Sequence, residues 1–381
     1  MPRDNCRATH VTGNVLDSEL IFQLRTDPTT DRKVLIAEGR ALRPQDFVDQ
    51  VAPPSGDHRL NCPFCPGNEH HTPHELKVVN DSQGNWQVRV VPNKYPAVAI
   101  GESQPPAPPA PAMAADLERT ADPASDPAGD LRPPLAGVAR ADGVHEVVIE
   151  SPRHVRDWAD LTPAELATVL GVLRDRIEHA YAVHQMQAAL VFKNVGEAAG
   201  ASLEHVHTQL VALPYVPEVL ERELRIAAAY QARTGACLMC ELLAEELRRG
   251  ERLVVENESF VAFTAFAGRQ PYETWVVPKQ HAGGFTQLGG EESQALAAIL
   301  SELVHRLGSV LACPAYNVVL HTAPVADSRL AAFHWHWEII PRSTALAGFE
   351  WGTGMHINSL SPERAAIRLS TLKSGEILPI Q

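Results

Sequence analysis

No run of about 18 apolar residues occurs in the 381-residue chain, so no membrane-spanning helix is expected. The first 30 residues carry acidic groups and lack the apolar centre of a secretory signal, which makes a cytoplasmic location the expectation. Positive charge is scarce: 33 Lys and Arg stand against 46 Asp and Glu, a net charge of -13. That balance argues against a nucleic-acid or anionic-membrane surface, yet a nucleotide-sized anion can still find a locally positive pocket. Cysteine is also scarce, at six residues. Four of them form two short pairs, Cys62-Pro-Phe-Cys65 and Cys237-Leu-Met-Cys240, while Cys6 and Cys313 stand alone. In a chain of this size without a signal peptide, such pairs point to zinc rather than to disulfides.

What the chain has in plenty is apolar content, 45%, ample for a core and above the size at which one core suffices. We expect two domains, 1–215 and 216–381, with a Pro/Ala-rich, semi-extended insertion at about 101–136 inside the first. Apolar spacing predicts helices over 161–185, 217–235 and 290–311, the first capped by Thr162 or Asp160. Strands are expected at 33–37, 86–91, 144–149, 188–194, 272–277, 316–321 and 331–340, with strand-like runs over 252–263.

The order of elements repeats. Each half has a Cys-x-x-Cys pair, a strand ending near Pro and His, a helix of about 20 residues, a strand, and a strand carrying His-x-His. His154 precedes His205 by 51 residues, and His281 precedes His334 by 53. The repeat predicts an α+β fold of two similar domains, each an antiparallel sheet with packed helices. It also predicts two metal sites, Cys62, Cys65, His154 and His205 in the first half and Cys237, Cys240, His281 and His334 in the second. Four sulfur and imidazole ligands suit closed, tetrahedral zinc. At the second site Glu223, Glu218, His321 and His336 are rival ligands, and such a set suits iron or zinc; either set can claim His334.

Closed sites leave no open position for Lewis-acid work. The chemistry then falls to the stretch His205-Val-His207-Thr-Gln209, whose alternate residues share one face of an extended strand. If His205 is fixed by metal, His207 beside it is held toward a reaction centre. A neutral imidazole can attack phosphorus and split nucleotidyl transfer into two steps, its other nitrogen held by a carbonyl. Gln209 can donate an amide hydrogen to a phosphoryl oxygen without adding charge. The glycine-rich loop from Gly196 to Ser202 offers backbone N–H groups for phosphate, and Lys193, Asn194 and Arg269 are further donors. The rival readings are a hydrolase with His207 as general base and a zinc-stabilised nucleotide-binding module without turnover.

The combination of Arg25-Thr-Asp-Pro28, Cys62-Pro-Phe-Cys65-Pro-Gly-Asn68, Ser151-Pro-Arg-His154, Phe192-Lys-Asn194, Gly200-Ala-Ser202, His205-Val-His207-Thr-Gln209 and Phe349-Glu350 resembles the galactose-1-phosphate uridylyltransferase family of the histidine-triad superfamily. The resemblance implies ping-pong transfer of a nucleoside monophosphate from a nucleotide-sugar to a sugar 1-phosphate or to phosphate, and commonly a homodimer. By matching positions it implies His207 as the covalent carrier, Gln209 as its stabilising amide, Ser202 on the phosphates and Glu350 on the sugar. Arg25, Asn93, Lys193, Asn194 and Gly196 complete the candidate substrate contacts. It also implies zinc at the first Cys/His set and, in some members, iron at Glu223, His321, His334 and His336. The main expectation is UDP-glucose–hexose-1-phosphate uridylyl transfer. Two departures stand out, Val206 in place of a proline and Thr208 in place of a glycine. The second Cys pair, His281 and the segment from Gly348 to Asn358 resemble a divergent branch that includes ADP-glucose phosphorylases.

Overall fold

Thr162 starts the longest helix in the structure. Its hydroxyl accepts from the Glu165 N–H and the Glu165 carboxylate accepts in return, with Pro163 in the first turn. This computed structural model describes residues 22–42, 61–100, 139–311, 314–324 and 326–371. Cys6, Cys313 and the Pro/Ala-rich insertion lie outside the described residues.

In chain order the strands are β1 (Phe22–Thr26), β2 (Lys33–Ala37), β3 (Lys77–Asn80), β4 (Trp86–Pro92), β5 (Val144–Ile149), β6 (Ala188–Val195), β7 (His207–Leu213), β8 (Leu253–Glu256), β9 (Phe260–Thr264), β10 (Thr274–Pro278), β11 (Tyr316–His321), β12 (His336–Pro341) and β13 (His356–Asn358). The helices are α1 (Pro163–His184), α2 (Glu218–Thr234), α3 (Leu238–Arg249), α4 (Gly290–Val310), α5 (Gly348–Thr353) and α6 (Pro362–Ser370). The architecture is α+β, as the repeat predicts.

Ten strands form one sheet in the order β3-β4-β5-β7-β6-β11-β12-β10-β9-β8. Each half contributes five strands in the same permuted order. The halves join where β6 pairs antiparallel with β11, Asn194 opposite Asn317. The sheets expected for two domains are therefore halves of one continuous sheet. The helices α1 and α4 pack against each other, and one apolar core runs beneath both halves. Trp158 meets Trp337 edge to face at 5.8 Å across that core.

Val206 and Leu210 point into this core. Alternation then turns His207 and Gln209 to the opposite face, where β7 meets the Cys62–Cys65 turn. A smaller sheet of β1, β2 and β13 sits beside the second half, with Val34 and Ile36 packed on Ala267. Among the described residues no helix is long and apolar enough to cross a membrane.

The structure adds β1, β3, β13, α5 and α6 to the expected elements, starts β10 at Thr274, and departs from expectation at three further points near the sites. The second cysteine pair runs directly into α3, whose first turn holds Cys240. β12 begins at His336, later than the expected 331. His205 lies just before β7, because its backbone is drawn aside: the Val206 N–H donates to the Val155 carbonyl at 2.8 Å. A proline at 206 has no such hydrogen to give.

Candidate active site and metal clusters

The first cysteine pair occupies a turn. Cys62, Cys65, His154 and His205 bring their ligand atoms within 4.8 Å of one another. The Cys65 sulfur is 3.2 Å from His154 Nδ1 and 3.6 Å from His205 Nδ1, and the Cys62 sulfur is 3.5 Å from His205 Nδ1. A tetrahedral zinc, about 2.3 Å from sulfur and 2.0 Å from nitrogen, holds S and N roughly 3.5 Å apart, so the set fits one ion. His205 donates its Nε2 hydrogen to the Ser151 carbonyl at 2.8 Å, which leaves Nδ1 as the lone pair facing the thiols. Burial lowers the His205 pKa to about 4 and keeps the ring neutral.

The second half repeats this geometry. Cys237, Cys240, His281 and His334 cluster within the same 4.8 Å limit. The Cys240 sulfur lies 3.4 Å from His334 Nδ1 and 3.5 Å from His281 Nδ1. His334 donates through Nε2 to the Pro278 carbonyl at 3.0 Å. Both accepting carbonyls, Ser151 and Pro278, lie three residues before the loop histidine of their half. Burial and the neighbouring Cys237 thiol push Cys240 up to about 12, so two thiolates here call for a cation between them.

The rival ligands do not compete for His334. Glu223, His321 and His336 gather as a third group, also within 4.8 Å, while His334 Nδ1 faces the thiols. His321 bridges Glu223 at 3.0 Å and Glu338 at 3.2 Å. Burial opposes its charge, but Glu223 and Glu338 outweigh that and raise it to about 10. His336 Nε2 is buried without a hydrogen-bond partner. Glu218 is exposed, pairs with Arg222 and stays outside the group.

His207 is buried, and its Nδ1–H donates to the His205 carbonyl at 2.7 Å. That bond fixes the tautomer and leaves Nε2 with its lone pair. Burial first, and then the Lys193 charge, lower its pKa. Phe64, between the two cysteines, meets the His207 ring edgewise at 5.4 Å. The metal turn thus packs directly on the imidazole. Gln209 follows on the same face about 6.6 Å along the strand, a span that a phosphoryl group can fill.

Behind the strand lies a network that the sequence did not announce. Glu150 is buried and accepts from Lys193 Nζ at 2.9 Å, from Trp158 Nε1 at 3.1 Å and from the Thr208 hydroxyl. Lys193 Nζ also donates to the His207 carbonyl at 2.8 Å. Lys193 thus braces the strand from the core side, and its ammonium is committed there instead of facing the candidate substrate site. The threonine at 208 now has a partner that a glycine would lack. A partial signal exists: Glu150 and Lys193 are charges at the ends of apolar runs, and a buried charge needs a partner, but nothing local to either says which one.

The loop after β6 is anchored by Asn317, whose amide donates to Asn194 Oδ1 at 2.8 Å and to the Ala199 carbonyl at 2.9 Å. At Gly196, with φ +80°, a Cβ would lie 2.9 Å from the Ala315 Cβ. The expected cradle is partly spent inside the loop. The N–H groups of Ala199 and Ala201 donate to the Gly196 carbonyl and that of Gly200 donates to the Glu197 carbonyl. The Ser202 side chain is exposed.

Of the remaining candidates Asn93 meets the His207 strand, while Arg25, Arg269 and Glu350 lie elsewhere. Asn93 reaches Gln209 at 3.2 Å. Arg25 forms a bidentate pair with Glu363 at 3.0 Å and stacks over Phe266. Arg269 is bound to Glu273 and Glu338 in the second half, not to the His207 strand. Glu350 lies on α5, which packs on β13.

Family profiles described as galactose-1-phosphate uridyl transferase match this chain, the N-terminal domain over residues 14–217 and the C-terminal domain over 223–376. The chain belongs to this family. By family it is a nucleotidyltransferase. An ADP-glucose phosphorylase of Arabidopsis thaliana is 33% identical over 346 residues, 90% of this chain and 91% of that protein. A galactose-1-phosphate uridylyltransferase of Haemophilus influenzae is 28% identical, covering 91% and 93%. The fold is that of a solved ADP-glucose phosphorylase from Arabidopsis thaliana with bound ADP-glucose, with a TM-score of 0.74, 30% identity, and coverage of 93% of this chain and 100% of that one.

Proposed function

We propose that the chain transfers a nucleoside monophosphate through a covalent nucleotidyl-histidine at His207. The observation that carries this is the tautomer lock, the His207 Nδ1–H on the His205 carbonyl at 2.7 Å, which presents a bare Nε2 beside Gln209. In the first half-reaction the Nε2 lone pair attacks the α-phosphorus of a nucleotide-sugar. The N–P bond forms as the bridging P–O bond breaks, and the sugar 1-phosphate leaves with the bonding electrons. In the second, an acceptor phosphate oxygen attacks the same phosphorus and the N–P bond breaks, restoring the imidazole. The Gln209 amide hydrogen stabilises the extra charge on the non-bridging oxygens in both transition states.

The branch we favour is adenylyl transfer from ADP-glucose to phosphate, which releases ADP and glucose 1-phosphate. Its support is the greater likeness to the phosphorylase, 33% against 28% identity. The second Cys/His set also agrees with the branch the sequence resembles. Uridylyl transfer from UDP-glucose to galactose 1-phosphate is the second reading, supported by the family's description. Ser202, Asn194, Gly196 and Glu350 are the proposed substrate contacts, whereas Arg25 is held by Glu363 and the Phe266 carbonyl. Zinc is the ion we propose for both Cys/His sets, where it would hold the loops. The Glu223, His321 and His336 group suits iron, with its oxygen and nitrogen donors. A cytoplasmic homodimer completes the reading.

The test is covalent trapping with radiolabelled ADP-glucose and UDP-glucose in parallel. We expect label on His207 from ADP-glucose, discharged as ADP by phosphate, and none in His207→Asn. Label from UDP-glucose alone would transfer the assignment to the uridylyl reading. A protein that binds nucleotide but takes no label from either would be a binding module.

A further inference from the structure

The amide of Gln209 has two ends, and only one can serve a phosphoryl oxygen. Its carbonyl Oε1 would repel that oxygen, whereas its Nε2–H groups would attract it. Something must therefore decide which way the amide faces. Two side chains do so, one on the neighbouring strand β5 and one just past β4.

The first is His145 on β5, set diagonally from Gln209 across the β5–β7 pair, where Val147 is the residue opposite Gln209. The Ala97 backbone N–H donates to His145 Nδ1 at 3.1 Å. A backbone N–H can only donate, so the neutral ring carries its hydrogen on Nε2. That nitrogen is 3.0 Å from Gln209 Oε1. The second is Asn93, just past β4. Its Oδ1 accepts from the Tyr95 N–H at 2.8 Å, which turns its Nδ2 toward Gln209 Oε1 at 3.2 Å; the same Nδ2 lies 3.0 Å from His145 Nε2, which carries the ring hydrogen and has no lone pair for it, so both groups direct their hydrogens to the Gln209 oxygen. The Asn93 backbone N–H donates to the His145 carbonyl at 2.8 Å, so the two clamp residues are also fixed to each other. Each donor is thus oriented by a backbone group of its own. Two donors converge on one oxygen, and a flipped amide would set its N–H groups against both of them. Among the described residues nothing bonds Gln209 Nε2.

We propose that His145 is a positioning residue, which together with Asn93 clamps Gln209 Oε1 so that the amide N–H faces the phosphoryl group at His207. The proposal rests on the reading of His207 as the covalent carrier. It assigns His145 a role through Gln209 and no contact with the reacting atoms.

The experiment is single-turnover nucleotidylation by rapid quench, with the labelled nucleotide-sugar that the wild type uses. It compares wild type, His145→Phe, His145→Gln, Gln209→Ala and the His145→Phe/Gln209→Ala double variant. Losing an oriented donor of this type costs roughly 100-fold in rate, and losing only its orientation should cost about tenfold or more. We expect His145→Phe to slow label formation by at least about tenfold, with half-saturation by the donor little changed. His145→Gln, which keeps an N–H, should recover part of the rate. In the Gln209→Ala background His145→Phe should cost nothing further. An equal cost in both backgrounds, or no cost in the wild-type background, overturns the clamp while leaving His207 as carrier. A wild type that takes no label overturns both.

Discussion

Glu150 and Lys193 form an ion pair with both side chains almost wholly out of water, at 0% and 1% exposure. Burial drives the lysine pKa down, and the glutamate opposes that fall. Such a pair contributes little net stability against an apolar replacement, but removing one member strands the other. Glu150→Gln is therefore expected to lower unfolding free energy by about 3–5 kcal/mol. The Glu150→Met/Lys193→Met double variant should be more stable than either single replacement. Urea denaturation of these variants and the wild type checks this, and single Met costs that simply add in the double variant would show that the pair is not coupled. What the pair does hold is the strand: Lys193 also binds the His207 carbonyl, so a slower nucleotidylation should accompany the stability loss.

At the scale of elements the two cysteine pairs part company. Cys62 and Cys65 close a turn whose Phe64 lies against His207, whereas Cys237 and Cys240 open α3 in the other half. Cys65→Ser is expected to lose one zinc per chain together with most covalent labelling. Cys240→Ser should lose one zinc and keep labelling, at a cost in melting temperature. Metal analysis beside the trapping assay decides, and an equal loss of label in both variants would contradict the division of roles. The same contrast shows what the sequence could express. The helices expected at 161–185, 217–235 and 290–311 match α1, α2 and α4 to within two residues, because caps and apolar spacing are local signals. The His207 and Gln209 face was legible from alternation, and the metal sets from the repeat. α3 was hidden because cysteine pairs read as turns. The Glu150 network and the His145 clamp were hidden because their members come from separate strands, and only pairing brings them together. Lys193 was misplaced for a related reason: strand alternation fixes its face, but a charged residue in a loop-bound motif reads as a ligand contact.

The whole molecule is set by the joint between β6 and β11. Each of these strands closes one half of the sheet, and the two run antiparallel. Without its partner half, residues 61–215 would leave β6 as a bare edge of apolar alternation, a template for another chain. Its natural partner in that state is β6 of a second copy, related by a twofold axis where the chain now has only approximate symmetry. Residues 61–215 expressed alone should therefore sediment as a dimer, and monomeric behaviour with a cooperative melt would show that the half closes itself. In an assembly of two identical halves, each would bring a His-x-His-x-Gln face and both sites could turn over. In the single chain the first half carries that glutamine and the second half does not. There Glu338 stands two residues after His336, where the first half has its glutamine, and is paired with Arg269. The joint thus gives one chain the geometry of a twofold contact between two subunits, with a glutamine on one side of it and a glutamate at the matching place on the other.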